Sequence, residues 1–124
     1  MDKCVLIVDD NDFNRELVKD ILEDEDITVY EAEDGGEALE IALKEKPDIV
    51  ITDIRMPELS GIDLMKKLNE NSIFSKMIVV SGYDDFEYAR QAIEVGVDQY
   101  LLKPVTRMKL KNVLLELKDK IEQD

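Results

Sequence analysis

The sequence predicts an α/β fold in which five parallel strands form one doubly wound sheet, with helices on both of its faces. Short apolar runs alternate five times with stretches whose apolar residues recur at helical spacing. The connections are only a few residues long, and parallel strands need helical crossovers of this kind. The run at residues 49–52 is the clearest strand, because it is rich in β-branched residues and lies between Pro47 and Pro57.

Five apolar runs are predicted to be strands. The first and third are continuous, as expected for strands that are buried on both faces of a parallel sheet. The fifth is short and contains Tyr100, which places it at an edge of the sheet. The five runs are residues 4–8, 27–32, 49–52, 77–80 and 100–102.

Five helices are predicted from apolar residues that recur three and four positions apart. Asn11 or Asp12 is the expected N-cap of the first helix, and residues 34–36 are expected to form a turn before the second. Ser60 can cap the third helix, and Gly96 suits a left-handed C-cap of the fourth. The predicted apolar faces include Phe13, Leu17, Val18, Ile21 and Leu22, then Ala38, Leu39, Ala42 and Leu43, then Ile62, Met65 and Leu68, and finally Leu110, Val113, Leu114, Leu117 and Ile121.

Length and charge limit the class of protein. The 124 residues suit one domain, over 1–124, and are too few for two ordinary domains. The 30 acidic and 16 basic residues give a formal net charge of −14, which repels nucleic acid and anionic membranes and favours cations and basic partners. We therefore expect no direct binding to nucleic acid or to a membrane.

Two residue types are scarce or absent, and this excludes several kinds of site. Cys4 is the single cysteine, so an internal disulfide and a cysteine-based zinc site are excluded, and we expect it to lie in the core. There is no histidine, which excludes Ser-His-Asp and Cys-His catalysis. Since no signal peptide or transmembrane run is visible, we expect a cytoplasmic protein.

Polar residues follow four of the five predicted strands, and these strand ends meet at one edge of a parallel sheet. Asp9 and Asp10 follow the first strand and Asp53 follows the third. Three neighbouring carboxylates repel one another unless a cation intervenes, and oxygen ligands favour Mg²⁺, with Mn²⁺ and Ca²⁺ as the other candidates. Ser81 and Lys103, after the fourth and fifth strands, suit a phosphoryl group. The pattern predicts that Asp53 is a nucleophile that forms an aspartyl phosphate.

Four motifs, each directly after its own predicted strand, carry a resemblance to a known family. They are Val8-Asp9-Asp10, Asp53-Ile54-Arg55-Met56-Pro57 with Gly61, Ser81-Gly82 and Lys103-Pro104. In order, spacing and strand context the chain resembles the receiver domain of two-component response regulators over essentially its whole length. The resemblance implies a flavodoxin-like (βα)5 fold with strand order 2-1-3-4-5.

The resemblance also implies how the acidic residues act. Asp53 would accept a phosphoryl group from a phosphohistidine of a sensor histidine kinase or a phosphotransfer protein. Asp10, Asp53 and the backbone carbonyl of Arg55 would ligate Mg²⁺, and Asp9 would act mostly through a metal-bound water. The domain would thus catalyse its own phosphorylation and dephosphorylation without being an enzyme in the usual sense.

The same resemblance implies a switch. Ser81 and Lys103 would bind the phosphoryl oxygens, and Tyr100 would turn inward on activation. Lys103 and Pro104 match the position where the family carries a cis peptide bond. The face made by the fourth helix, fifth strand and fifth helix would then repack and contact an effector domain or a second copy in a homodimer.

Several positions depart from the commonest pattern or vary within the family. Ser81 replaces the commoner threonine. Arg55 and Tyr83 lie at variable positions, so the lifetime of the phosphoryl group does not follow from the sequence. Residues 81–89 are similar to receivers that are joined to AraC-type DNA-binding domains. No such domain follows Asp124, which leaves a single-domain regulator or a receiver cut from a longer protein.

Two other functions use similar residues. A phosphatase of the haloacid dehalogenase type also forms an aspartyl phosphate, but it needs a second aspartate two residues after the nucleophile, where Arg55 stands. The chain also lacks room for a cap domain. A binding module with a vestigial site is the other alternative, and the complete acidic cluster with Ser81 and Lys103 argues against it.

Overall fold

Strands and helices alternate five times in the computed structural model, which describes residues 3–23, 27–53, 61–73, 75–81, 86–102 and 106–123. The strands are β1 (Lys3–Val8), β2 (Ile27–Ala32), β3 (Ile49–Asp53), β4 (Lys76–Ser81) and β5 (Gln99–Leu102). The helices are α1 (Asp12–Leu22), α2 (Gly35–Glu45), α3 (Gly61–Glu70), α4 (Phe86–Val95) and α5 (Arg107–Gln123). All the predicted elements are confirmed, and the limits of the strands differ from the prediction by at most one residue.

The five strands form one parallel sheet in the order β2-β1-β3-β4-β5, which confirms the predicted topology. Val8 of β1 pairs with Thr52 of β3, Asp53 pairs with Val80 of β4, and Ser81 follows Val80 at the end of β4. Because the strands are parallel, the residues at their carboxyl ends come together along one edge. This register is what assembles the candidate site.

The core is divided between the two faces of the sheet, because successive residues of a strand point to opposite sides. Leu6 and Val8 of β1 belong to a buried cluster with residues of α2 and α3. Val5 and Ile7 of the same strand belong to a second cluster with residues of α1 and α5. The sheet is therefore covered on both sides, as a parallel sheet requires.

The caps of three helices can be compared with the prediction. Asn11 is the N-cap of α1 and its Oδ1 accepts from the N–H of Asn14 at 3.1 Å. Gly96 follows α4 with a φ of 85°, as predicted. The predicted turn before α2 is wrong in part, because Asp34 is the N-cap and the helix already begins at Gly35. The cap predicted at Ser60 lies outside the described residues.

The predicted apolar face of α1 is wrong at its amino end. Phe13 is 74% exposed and Leu17 is 42% exposed, although Ile21 and Leu22 are buried. The buried face also contains Arg15, from which Phe13 and Leu17 lie about half a turn away at 3.6 residues per turn. Leu43 of α2, which was also predicted to be buried, is 45% exposed.

Within the described part of the chain, no helix has the length and apolar content to cross a membrane.

Two aspartates join neighbouring strands at the amino edge of the sheet. Asp48 precedes β3, and its Oδ2 accepts from the N–H of Cys4 at 2.9 Å while its own N–H donates to the Cys4 carbonyl at 2.9 Å. Asp98 precedes β5 and repeats this arrangement with Met77 of β4, at 2.8 and 3.1 Å. Burial, helped by the negative charge of Asp48, raises the pKa of the half-buried Cys4 thiol to about 11, so this thiol stays protonated near neutral pH.

We predict that Asp98→Ala lowers the free energy of unfolding by about 1.5–3 kcal/mol, because the Met77 N–H loses a charged acceptor. Asp98→Asn removes the same negative charge but keeps an oxygen acceptor, so it should cost less. Urea denaturation followed by circular dichroism measures both variants. An unchanged free energy of unfolding in Asp98→Ala would show that this hydrogen bond does not stabilise the strand.

Candidate functional site

The acidic residues predicted to follow β1 and β3 come together at the carboxyl edge of the sheet. Asp9, Asp10 and Asp53 each offer a carboxylate oxygen, and these three oxygens lie within 4.8 Å of one another. Asp9 and Asp53 are buried, whereas Asp10 is exposed. Charges of one sign at this separation repel, and a cation removes the repulsion. Three oxygen donors without nitrogen or sulfur fit Mg²⁺.

The loop after β1 is held by backbone hydrogen bonds at several points. The N–H of Asp9 donates to the carbonyl of Ala32 at 3.2 Å, which extends the pairing of β1 with β2 by one residue. The Oδ1 of Asp9 accepts from the N–H of Asn11 at 2.9 Å, a local turn typical of aspartate. The Asp9 side chain is therefore oriented by the start of α1.

Arg15 is a further residue of this region that was not among the predicted site residues. Its side chain is only 9% exposed, and its Nη1 donates to the backbone carbonyl of Asp9 at 2.5 Å. Its position in the sequence could have indicated this role, because Arg15 stands three residues before Val18 and seven before Leu22. At helical spacing this places a basic residue on the apolar face of the helix. Thr52 was also missed. Its buried Oγ1 donates to the carbonyl of Asp53 at 3.0 Å.

The two predicted switch residues are in contact. Ser81 ends β4 and is fully buried, and its Oγ shares a hydrogen bond with the hydroxyl of Tyr100 on β5. The half-buried Tyr100 ring packs against the cluster formed by Ile62 and Val79. This contact gives the buried end of the tyrosine a polar partner, which such a hydroxyl needs.

Three residues predicted for this site lie outside the described residues. They are Arg55, expected to offer a backbone carbonyl to the cation, and Lys103 and Pro104, expected to bind the phosphoryl group and to form a cis peptide. The structure thus brings together the three aspartates and, separately, Ser81 with Tyr100. The roles of all these residues stay predictions.

The chain resembles a known protein family and several known proteins. The family described as response regulator receiver domain matches residues 5–115. An uncharacterized response regulatory protein of Staphylococcus epidermidis is 42% identical over 113 residues, which cover 89% of this chain and 44% of that protein. The transcriptional regulatory protein HptR of Staphylococcus aureus is 42% identical over 113 residues, with coverage of 89% and 44%. The chain spans less than half the length of these relatives.

Solved structures give the same likeness. The REC domain of AraT, a response regulator from Geobacillus stearothermophilus, has a TM-score of 0.90 and 42% identity, covering 99% of this chain and 98% of that chain. Chemotaxis protein CheY4 of Vibrio cholerae has a TM-score of 0.85 and 29% identity, covering 94% and 99%.

We predict that Mg²⁺ raises the melting temperature, since it binds the folded arrangement of Asp9, Asp10 and Asp53 and not the unfolded chain. At ten times its Kd the gain is about 1.4 kcal/mol, or roughly 5 °C for a chain of this size. In EDTA, Asp53→Asn should melt at a higher temperature than the wild type, because one of three neighbouring like charges is gone.

Glu40→Gln is the matched control for this experiment, because it makes the same charge change at an exposed position of α2. It should leave the response to Mg²⁺ intact and change the melting temperature less. Differential scanning calorimetry measures all three proteins. A melting temperature that ignores Mg²⁺, together with a destabilised Asp53→Asn, would contradict the cation assignment.

Proposed function

Because this chain belongs to the response regulator receiver domain family, a family of signalling domains, we propose that it is the phospho-acceptor switch of a two-component phosphorelay, with Asp53 as the acceptor. One observation carries the proposal. Asp53 is the last residue of the central strand β3, and its carboxylate lies within 4.8 Å of those of Asp9 and Asp10. Two further carboxylates beside the acceptor would repel the anionic phosphoryl group unless they held a cation there.

The proposed reaction is an in-line transfer. A carboxylate oxygen of Asp53 attacks the phosphorus of a phosphohistidine, a P–O bond forms, and the P–N bond breaks. The imidazole of the donor keeps the electron pair and takes up a proton. Bound Mg²⁺ would neutralise charge on the transferring phosphoryl group.

The protein's own residues hold the acceptor in place for this attack. Asp53 is buried at the end of a strand that has partners on both sides, and the Thr52 hydroxyl fixes its carbonyl. We propose that Asp9, Asp10 and the backbone carbonyl of Arg55 hold the cation. Ser81 and Lys103 would bind the phosphoryl oxygens.

We propose that the donor is a sensor histidine kinase or a phosphotransfer protein and that the output face is formed by α4, β5 and α5. Large apolar side chains of these three elements are exposed. They are Ile93, Leu102, Met108 and Leu115. The HptR relatives are named transcriptional regulatory proteins and extend well beyond the matched segment, which suits an effector domain as the partner of this face. A homodimer through the same face is the alternative.

Acetyl phosphate with Mg²⁺ should add one phosphoryl group to the wild-type protein and none to Asp53→Asn, which keeps the shape of the acceptor but not its nucleophilic oxygen. Intact-mass spectrometry measures the addition, and circular dichroism shows whether the variant is folded. EDTA should abolish the addition. Equal labelling of wild type and Asp53→Asn would place the acceptor elsewhere.

A second test concerns the contact between Ser81 and Tyr100. Beryllofluoride, as a phosphoryl mimic on Asp53, should draw the Ser81 hydroxyl away and change the position of the Tyr100 ring, so that the NMR signals of the ring shift. In Ser81→Ala the shift should be much smaller, because the link between acceptor and ring is lost.

Tyr30 provides an internal reference, because it lies on β2 at the opposite edge of the sheet and its hydroxyl donates to Glu45 at 3.0 Å. The NMR chemical shifts of the Tyr30 ring should not change when beryllofluoride is added. Equal shifts of the Tyr100 ring in wild type and Ser81→Ala would break the proposed link.

A further inference from the structure

Arg15 lies on the buried face of α1, directly behind the loop that carries two of the three acidic residues. We propose that Arg15 is a positioning residue, whose guanidinium holds the Asp9 carbonyl and so keeps the Asp10 carboxylate within reach of a cation shared with Asp53. This inference rests on the proposed function, since it concerns the cation that phosphoryl transfer would use.

The guanidinium is held on several sides at once. Its Nη1 donates to the Asp9 carbonyl at 2.5 Å, and its Nε donates to Oε1 of Glu31 on β2 at 3.3 Å. Its Nη2 pairs with Asp12 and lies 3.8 Å from Glu33. A planar fork with several acceptors around it is held in one orientation more firmly than a single ammonium group would be.

The carbonyl that Arg15 binds belongs to the peptide unit between Asp9 and Asp10. Because the peptide unit is planar, holding this oxygen together with the Asp9 N–H restrains where the Cα of Asp10 lies. Asp10 is exposed, so packing restrains its side chain less than that of the buried Asp9. The position of the Asp10 carboxylate therefore depends on its backbone, and the bond from Arg15 is one of those that hold this backbone in place.

A purely electrostatic role for Arg15 predicts the opposite result. A positive charge beside a cation site weakens cation binding, so removing it would tighten the binding of Mg²⁺. Loss of orientation would weaken that binding. The sign of the change in affinity therefore separates the two roles.

The test is isothermal titration calorimetry of Mg²⁺ into the full chain after treatment with EDTA, at a temperature where each variant is folded by circular dichroism. Arg15→Met and Arg15→Lys should raise the Kd for Mg²⁺ by about 10-fold to 100-fold, the usual cost of losing a residue that orients a metal ligand. Arg15→Lys keeps the charge and loses the fork, so its binding must also weaken.

Lys19→Met is the matched control. Lys19 lies on the same helix and its Nζ is 3.1 Å from Oε2 of Glu31, so the variant removes a neighbouring cation. Its Kd should stay within about twofold of the wild-type value, since the bond from Arg15 to Asp9 is untouched. Glu31→Gln weakens the hydrogen bond that the Arg15 Nε donates to residue 31, but it leaves the bond to the Asp9 carbonyl. It should therefore raise the Kd for Mg²⁺ by less than Arg15→Met does.

The outcomes separate this inference from the proposed function. Unchanged or tighter binding of Mg²⁺ by Arg15→Met and Arg15→Lys, with normal binding by the wild type, overturns the role of Arg15 alone. If Arg15→Met does not fold, Arg15→Lys and Glu31→Gln decide by the same criterion. A wild-type protein that binds no Mg²⁺ overturns the proposed function and the role of Arg15 together.

Discussion

Repulsion among three carboxylates at one edge of the sheet is the constraint on which the rest of the structure depends. Parallel pairing of β1 with β3 sets Val8 beside Thr52, so Asp9, which follows β1, and Asp53, which ends β3, become neighbours. Such an arrangement is unfavourable until a cation binds, and the apolar clusters on both faces of the sheet have to hold it. This repulsion would favour binding of a cation, and a bound cation would in turn lower the cost of placing an anionic phosphoryl group beside Asp53, the proposed acceptor.

The position of Ser81 links the acidic cluster to the edge strand β5. β4 lies between β3, which carries the proposed acceptor, and the edge strand β5, which carries Tyr100. The Ser81 hydroxyl shares a hydrogen bond with the Tyr100 hydroxyl, so a group on Asp53 that drew the Ser81 side chain toward it would lengthen or break that bond. A choice between two partners of this kind gives a two-state element without any large movement of the sheet.

Most of the fold could be predicted because the strands are apolar runs whose ends are marked by polar residues, as at Asp53 and Ser81. The same strand ends predicted the acidic cluster, since strand direction alone places them at one edge. Phe13 and Leu17 were misplaced because an apolar pattern cannot show which of two adjacent faces of a short helix is buried. The start of α2 at Gly35 was also missed, since two glycines after Asp34 are as typical of a turn as of a capped helix.

The error at α1 and the role of Arg15 have one physical cause. A charged side chain is buried only where enough hydrogen-bond partners offset its lost hydration, and here Glu31 and the Asp9 carbonyl are among those partners. The helix therefore buries Arg15 and leaves Phe13 exposed. This is the reverse of the usual preference, in which arginine is exposed to water and phenylalanine lies in the core. A basic residue within the apolar face of a helix, directly after a strand that ends in acidic residues, is thus a signal in the sequence for the positioning role that we propose for Arg15.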